Sequence, residues 1–295
     1  MSFTIRRTSA PVGAIITGLD LEGLSRGEAG DLYRAFLEYG VLVFKGMNVD
    51  DAGQMRLSNL FGECELHPLE HLRLKDQPLL VDFVSNRGQP VADDDPEADT
   101  IINRQRWHTD AMYTETPLRG GLLRPLVLPS EGGDTGWIDT AAVYRALPYR
   151  IKAKIQGLQL VCSYAKTGGS AQSFPEVVYP LVYVHPEIDL PVLNVTPSSA
   201  VRLLGLPPEE GAELLQYLID FATRDELAYR HYWESGDMVI WDNWRTMHRT
   251  YGHKKRYPRV VRRTSLKPDM RLGRYIDSEV ALNQAIDGLT VRGTA

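Results

Sequence analysis

The 295-residue sequence predicts a mainly β fold with added helices, its core a β-sandwich or a double-stranded β-helix (jelly roll). Three observations carry this. From Arg119 onward, short strand-like runs alternate with turn-forming residues; the clearest helical patterns lie outside that strand-rich part; and no regular strand–helix alternation marks a βαβ sheet. No internal repeat or low-complexity tract offers another organisation.

Ala14-Ile15-Ile16-Thr17-Gly18 reads as a short strand before a turn, and Ser25 is placed to cap a helix from about Gly27 to Glu38. Leu32, Phe36 and Leu37 give that helix one buried face, and Gly40 ends it. Val41-Leu42-Val43-Phe44 has the uninterrupted apolar character of a strand buried on both sides, and a second helix follows from about Asp50 to Leu60. The polar stretch 85–106 carries the acidic run Asp93-Asp94-Asp95-Pro96-Glu97 and no hydrophobic period. It reads as a mobile loop, either a solvated excursion or a lid.

Leu122–Leu128 is the next strand, and Gly132-Gly133 turns the chain into Thr135-Gly136-Trp137-Ile138 ahead of two short helices. Further strands are expected at Gln159–Tyr164, Leu181–Val184, Leu193–Val195, Leu227–Trp233, Met238–Trp241 and Val260–Leu266, with a helix from about Pro208 to Thr223 among them. The stretch 165–179, rich in Gly, Ser and Thr, reads as a flexible connection within one domain spanning 1–295.

Composition bounds the function. At 43% hydrophobic and 24% charged residues the chain is able to bury a sizeable core, and its net charge of -5 argues against a nucleic-acid partner. Cys64 and Cys162 are too few for a disulfide framework and lack the paired spacing of a zinc site; Cys64 reads as a small buried apolar residue. There is no apolar signal-like segment behind Met1 and no run of roughly 18 apolar residues, so a soluble cytoplasmic protein without a membrane partner is expected.

Trp107-His108-Thr109-Asp110 sets an imidazole and a carboxylate two residues apart, so on an extended strand both project from one face and can grip a metal. A third ligand has to arrive from elsewhere. His248 is the candidate, because it follows Met238–Trp241 and the polar turn Asp242-Asn243 that would deliver it to a fixed place. Two histidines and a carboxylate on one side of a metal are the donor set associated with iron(II) oxygenases. Taken alone, His-x-Asp is more commonly a structural pair than a metal site, and Trp107 and Trp241 read as packing residues beside it.

At this point the sequence resembles the TauD/TfdA family of 2-oxoglutarate-dependent dioxygenases. The resemblance spans almost the whole chain and rests on Val41-Leu42-Val43-Phe44-Lys45-Gly46, Phe61-Gly62, Trp107–Asp110, Gly132-Gly133-Asp134-Thr135, Trp241-Asp242-Asn243 and His248, in the family's order and spacing. It implies that His108, Asp110 and His248 hold Fe(II). It implies too that Thr135 and Arg259 hold the distal carboxylate of 2-oxoglutarate through a hydroxyl and a bidentate guanidinium. Arg263 shares a strand face with Arg259 and matches a family arginine for an anionic group of the prime substrate; His67 and Tyr113 match residues of the same pocket. Two departures stand out. Asn103 is followed by Arg104, Gln105 and Arg106 where the family often has asparagine just before the His-x-Asp motif, and Glu70 replaces an aromatic residue of taurine-type members. His253 with Lys254-Lys255-Arg256 reads as a solvated turn.

The activity so implied consumes O2 and 2-oxoglutarate, releases succinate and carbon dioxide, and hydroxylates, or hydroxylates and then cleaves, a small anionic organic substrate such as a carboxylate or sulfonate. Two other readings of the same residues are a zinc-dependent hydrolase and a non-catalytic jelly-roll binding protein. The oligomeric state is left open, a homo-oligomer included.

Overall fold

Alternate residues of the central strands serve two different cores, which is why those strands read as unbroken apolar runs. This emerges from a computed structural model that describes residues 2–67, 70–85, 88–92, 95–164 and 175–276. In chain order the elements begin with β1 (Thr4–Arg7), β2 (Ala14–Thr17), α1 (Arg26–Tyr39), β3 (Val41–Phe44), α2 (Asp51–Asn59), β4 (Cys64–Glu65), β5 (Val81–Ser85), β6 (Ile101–Arg104), β7 (Gly120–Val127) and β8 (Thr135–Asp139). They continue with α3 (Thr140–Ala146), α4 (Tyr149–Ile155), β9 (Gln159–Cys162), β10 (Val177–Pro180), β11 (Val182–Val184), β12 (Pro191–Leu193), β13 (Ala200–Leu204) and α5 (Pro208–Ala222). The remainder are β14 (Ala228–His231), β15 (Met238–Asp242), β16 (Thr246–Lys254), β17 (Arg259–Leu266) and β18 (Arg274–Tyr275). Among the described residues no helix is long and apolar enough to cross a membrane.

The chain divides into two compact units. The first comprises Met1–Arg106, Leu118–Asp139 and Ala228–Lys267. Its larger sheet runs β1-β2-β3-β15-β7-β17-β4, with β5 also paired to β17, and its smaller sheet runs β14-β8-β16-β6. On one side of the larger sheet, Leu42, Phe44, Leu122, Met238, Ile240 and Leu266 pack with Leu32 and Phe36 of α1 and Leu57 of α2. On the other side, Val41, Val43, Leu123, Val239, Trp241 and Val261 pack with Trp137 of the smaller sheet. The two sheets therefore lie face to face, and the period-2 alternation hidden in each apolar run divides its side chains between helices and opposing sheet.

The α1 boundaries follow from capping chemistry. Ser25 Oγ accepts the Glu28 N–H at 3.3 Å while the Glu28 carboxylate accepts the Ser25 N–H at 3.2 Å, a reciprocal capping box. The Ser2 N–H first, and then the Ser25 hydroxyl and N–H, donate to the Glu28 carboxylate and hold it down at about 2. Gly40 closes the helix in the left-handed region, φ 70°, its N–H bonded to Phe36 O at 2.9 Å. In α2 the cap is Asp50, which accepts from the Gly53 N–H at 2.8 Å.

The second unit comprises Trp107–Pro117, Thr140–Leu227 and Pro268–Ala295. Its sheet runs β13-β9-β10-β18, with β11 and β12 as a separate antiparallel pair. The apolar face of α5, carried by Leu214, Leu215, Leu218 and Phe221, is buried. Of the stretch read as a flexible connection, 165–174 lie outside the described residues, whereas Val177–Tyr179 belong to β10, paired with β9. Within 85–106, positions 86, 87, 93 and 94 lie outside the described residues, and Ile101–Arg104 form β6, paired with β16.

Candidate active site

The Trp107–Asp110 segment departs from the extended strand expected for it. His108 makes only a single-residue β-bridge, Asp110 begins a turn, and Ala111 has φ 58°. Long-range bonds impose this shape: Trp107 O accepts from the Ser198 N–H at 3.2 Å, and the Thr109 N–H donates to Thr196 Oγ1 at 3.3 Å. The intended juxtaposition survives, with His108 Nε2 and Asp110 Oδ1 3.8 Å apart and both side chains partly accessible.

His248 is delivered by β16 after a tightly bonded turn. Asp242 accepts from the Arg119 guanidinium at 2.6 Å and from the Trp244 N–H at 3.1 Å, and Asn243 Nδ2 donates to Leu118 O at 3.0 Å. Arg245 is ion-paired with Asp139, and both are buried. His248 lies opposite Trp137 in the β16/β8 register, its ring 4.8 Å from that of Trp241. Among the described residues, His108, Asp110 and His248 form a group that could hold a metal ion: each offers one ligand atom, and these atoms all lie within 4.8 Å of one another. The donor set, two imidazoles and one carboxylate, fits iron(II) and leaves coordination positions for other ligands.

Thr135 and Arg259 are both buried in the first unit. Thr135 Oγ1 accepts a 3.0 Å bond from Trp233 Nε1. Arg259 Nη2 reaches Gly133 O at 3.3 Å, and among the described residues its Nε has no hydrogen-bond partner. Desolvation pushes the Arg259 guanidinium well below its ordinary range, to about 10, against the attraction of Asp134. A buried guanidinium this weakly satisfied is matched to an incoming carboxylate, which would supply both the acceptors and the countercharge. Gly133, with φ 77°, permits the close approach: a Cβ there would sit 3.2 Å from Arg259 Nε and 2.8 Å from Pro129.

The alternation along β17 separates its arginines. Arg259, Val261 and Arg263 are buried on one face, whereas Arg262 points the other way to ion-pair with Asp51 and Asp82 at 2.6 and 2.7 Å. Arg263 lies over the Trp241 ring, 5.3 Å from its centroid. His67 follows β4 and is half-buried; its carbonyl accepts from Arg73 Nε at 2.7 Å. Tyr113, in the second unit, packs edge-on against Tyr164 with centroids 4.6 Å apart.

The sequence reading of His253 as part of a solvated turn needs correcting. His253 is buried, its Nε2 3.1 Å from Ser85 Oγ and 3.3 Å from Asn103 Nδ2 and its Nδ1 2.9 Å from Lys254 O. Asn103 is thereby committed to this cluster. The neighbouring cations are paired rather than merely solvated: Lys255 with Glu97 at 2.7 Å and Arg256 with Asp99 at 2.9 Å. Sequence reasoning also missed Trp233, placing it at a strand end when it lies beyond β14 with its indole N–H on Thr135.

Comparison with known proteins agrees with this constellation. Residues 4–265 match the model of the taurine catabolism dioxygenase TauD, TfdA family. A (S)-phenoxypropionate/alpha-ketoglutarate-dioxygenase of Sphingobium herbicidovorans is 32% identical over 260 residues, covering 82% of this chain and 87% of that protein. The crystal structure of a taurine dioxygenase from Burkholderia xenovorans is similar with a TM-score of 0.77 at 28% identity, covering 95% of this chain and 98% of that one. A crystal structure of AAD-2 in complex with Mn(II) and N-oxalylglycine has a TM-score of 0.77 at 30% identity, covering 92% of this chain and 99% of that one. With nearly its whole length matched, the chain belongs to the TauD/TfdA family and is a dioxygenase dependent on Fe(II), 2-oxoglutarate and O2.

Proposed function

We propose that this dioxygenase hydroxylates a small organic anion, a carboxylate or a sulfonate, with cleavage following where the new hydroxyl lies beside a heteroatom. The observation that carries the proposal is Arg259, a buried cation whose one hydrogen bond among the described residues is that to Gly133 at 3.3 Å, on the same strand face as a second buried arginine, Arg263. In this reading His108, Asp110 and His248 hold the iron, and their ligand atoms lie within 4.8 Å of one another. Bound there, iron, 2-oxoglutarate and O2 supply the chemistry that puts oxygen into a C–H bond while releasing succinate and carbon dioxide.

The rest is done by the chain itself. Arg259 presents parallel N–H groups to the distal carboxylate of 2-oxoglutarate, and the Thr135 hydroxyl donates a further bond that fixes its rotation. Arg263 holds the anionic end of the prime substrate, and His67 and Tyr113 are assigned as further substrate contacts, so that one C–H bond is presented for oxidation. The substrates for which two of the relatives are named, a phenoxypropionate and taurine, carry a carboxylate and a sulfonate, which supports an anionic substrate here.

The two facing sheets support a double-stranded β-helix core within one catalytic domain spanning 1–295. A lid role for the stretch 85–106 is supported, at its described residues, by the ion pairs of Asp95, Glu97 and Asp99 with Lys254, Lys255 and Arg256. A cytoplasmic protein with neither nucleic-acid nor membrane partners suits the net charge of -5; a homo-oligomer stays open. Zinc-dependent hydrolysis leaves a buried, weakly satisfied Arg259 without a purpose, and binding without turnover leaves the complete set of His108, Asp110 and His248 without one.

Anaerobic addition of Fe(II) and 2-oxoglutarate is the first test, with a weak visible charge-transfer band as the expected result. A panel of aryloxyalkanoates, amino-acid-derived carboxylates, alkylsulfonates and sulfate esters is then scored by substrate-dependent succinate release. Absence of the band counts against the cofactor assignment. Equal turnover of a neutral amide and its parent acid counts against an anionic substrate.

A further inference from the structure

We infer that Trp233 is a positioning residue for 2-oxoglutarate, acting through the hydroxyl of Thr135; this rests on the assignment of Thr135 to the co-substrate. The geometry is local to the first unit. Trp233 Nε1 lies 3.0 Å from Thr135 Oγ1, and this is the one hydrogen bond of that hydroxyl among the described residues. An indole N–H can only donate, so Thr135 Oγ1 accepts and its single hydrogen has to turn elsewhere. A threonine in a fully buried strand would otherwise be free to rotate its hydroxyl among several acceptors. The indole removes that freedom and leaves the O–H to donate to a carboxylate oxygen, so part of the ordering is complete before the co-substrate arrives.

The indole is itself held in place. Its ring stands edge-on to His231, centroids 4.8 Å apart at 81°, and edge-on to Trp137 at 6.5 Å. His231 is fixed at both nitrogens: Nε2 lies 3.0 Å from Asp237 Oδ2 and Nδ1 3.1 Å from the Tyr229 hydroxyl. Asp237, fully buried, also accepts from the Glu234 N–H at 3.0 Å and from Lys45 Nζ at 2.8 Å. The turn between β14 and β15 that carries Trp233 is thus tied down by one carboxylate, and its rigidity reaches Thr135 through the indole N–H. Neither Trp233 nor the residues behind it needs to touch the co-substrate.

The test is the Trp233→Phe variant, which keeps an aromatic ring and removes the N–H. The KM for 2-oxoglutarate, and its Kd from the anaerobic charge-transfer titration, are expected to rise about threefold to tenfold, the size of one neutral hydrogen bond. The kcat at saturating co-substrate and the iron requirement stay within about twofold. In a Thr135→Val background, Trp233→Phe is expected to add nothing, because the pathway is already cut. An unchanged KM in Trp233→Phe, or the same penalty with and without the Thr135 hydroxyl, overturns the inference while leaving Thr135 as a co-substrate ligand. An unchanged KM in Thr135→Val overturns both. Should Trp233→Phe fail to fold, benzothienylalanine at position 233, which exchanges only the N–H for sulfur, reads the same quantity.

Discussion

Arg259 and Gly133 are joined by one long hydrogen bond, Nη2 to carbonyl at 3.3 Å, in a place where the guanidinium is otherwise dry. Burial pushes the arginine down to about 10, so below that pH the folded chain carries a charge that the fold itself hardly compensates. The site therefore holds energy that only an anion releases.

Arg259→Met should separate stability from binding. The variant keeps comparable apolar volume and removes an ill-paired buried charge, so in the absence of co-substrate it is expected to be more stable by about 1–3 kcal/mol. The parent gains about 2.7 kcal/mol at a co-substrate concentration of roughly 100 Kd, whereas the variant gains nothing. Thermal unfolding with and without 2-oxoglutarate measures both. A less stable apo variant that still responds to 2-oxoglutarate would remove Arg259 from the site.

Arg263 is expected to affect a different quantity. Losing a charge-assisted contact with the prime substrate in Arg263→Gln should raise the KM of an anionic substrate by about 10-fold to 100-fold. Substrate-independent turnover of 2-oxoglutarate should stay near the parent level. Gly121 supports the same region by having no side chain: a Cβ there would lie 2.6 Å from the Trp241 ring and 3.3 Å from Arg263 Nη2. Gly121→Ala is expected to destabilise by about 1–3 kcal/mol through overpacking. Wild-type unfolding in the alanine variant would show that Trp241 has room to move.

What the sequence made legible was local or periodic. The Ser25–Glu28 box and Gly40 mark α1 because capping depends on neighbouring residues, and the alternation of Arg259, Val261 and Arg263 follows from strand geometry alone. The shape of Trp107–Asp110 was not legible, because it is set by bonds from Thr196 and Ser198, distant in the chain. Strand β13 went unread since Arg202 interrupts it, and the structure shows that cation ion-paired with Glu176 at 2.8 Å beside β10. His253 was assigned to solvent by its basic neighbours, and its partners Ser85 and Asn103 come from far upstream. A hydrogen bond such as Trp233 to Thr135 leaves no pattern in composition or spacing.

Cys64 should be inert despite lying among predicted site segments. Burial raises its thiol to about 11, outweighing the bond from Ser58 that acts in the opposite direction. At about pH 8 roughly one molecule in a thousand carries the thiolate. Native protein treated with iodoacetamide is expected to show no adduct at Cys64 by mass spectrometry, with full alkylation after unfolding. Rapid native alkylation would place Cys64 in an accessible, activated setting.

His253 should make stability fall with mild acid. Its Nδ1 lies 2.9 Å from Lys254 O and therefore carries the proton, which leaves Nε2 to accept from Ser85 or Asn103. Desolvation lowers its pKa below the ordinary 6.5, the carbonyl of Lys254 opposes that shift, and the charge of Arg259 adds to it. Above the unfolded value both states are neutral and the full stability is present; below it the unfolded chain takes up a proton that the folded chain refuses, and stability declines until the folded pKa is passed. The melting temperature is thus expected to drop between about pH 7.5 and pH 5.5, a window above the range where the lowered carboxyls of Asp95, Asp99 and Asp237 protonate. His253→Gln, which retains an acceptor toward Ser85 but cannot titrate, should flatten that slope even if it starts from a lower melting temperature. Parallel slopes in parent and variant would mean that another group takes up the proton.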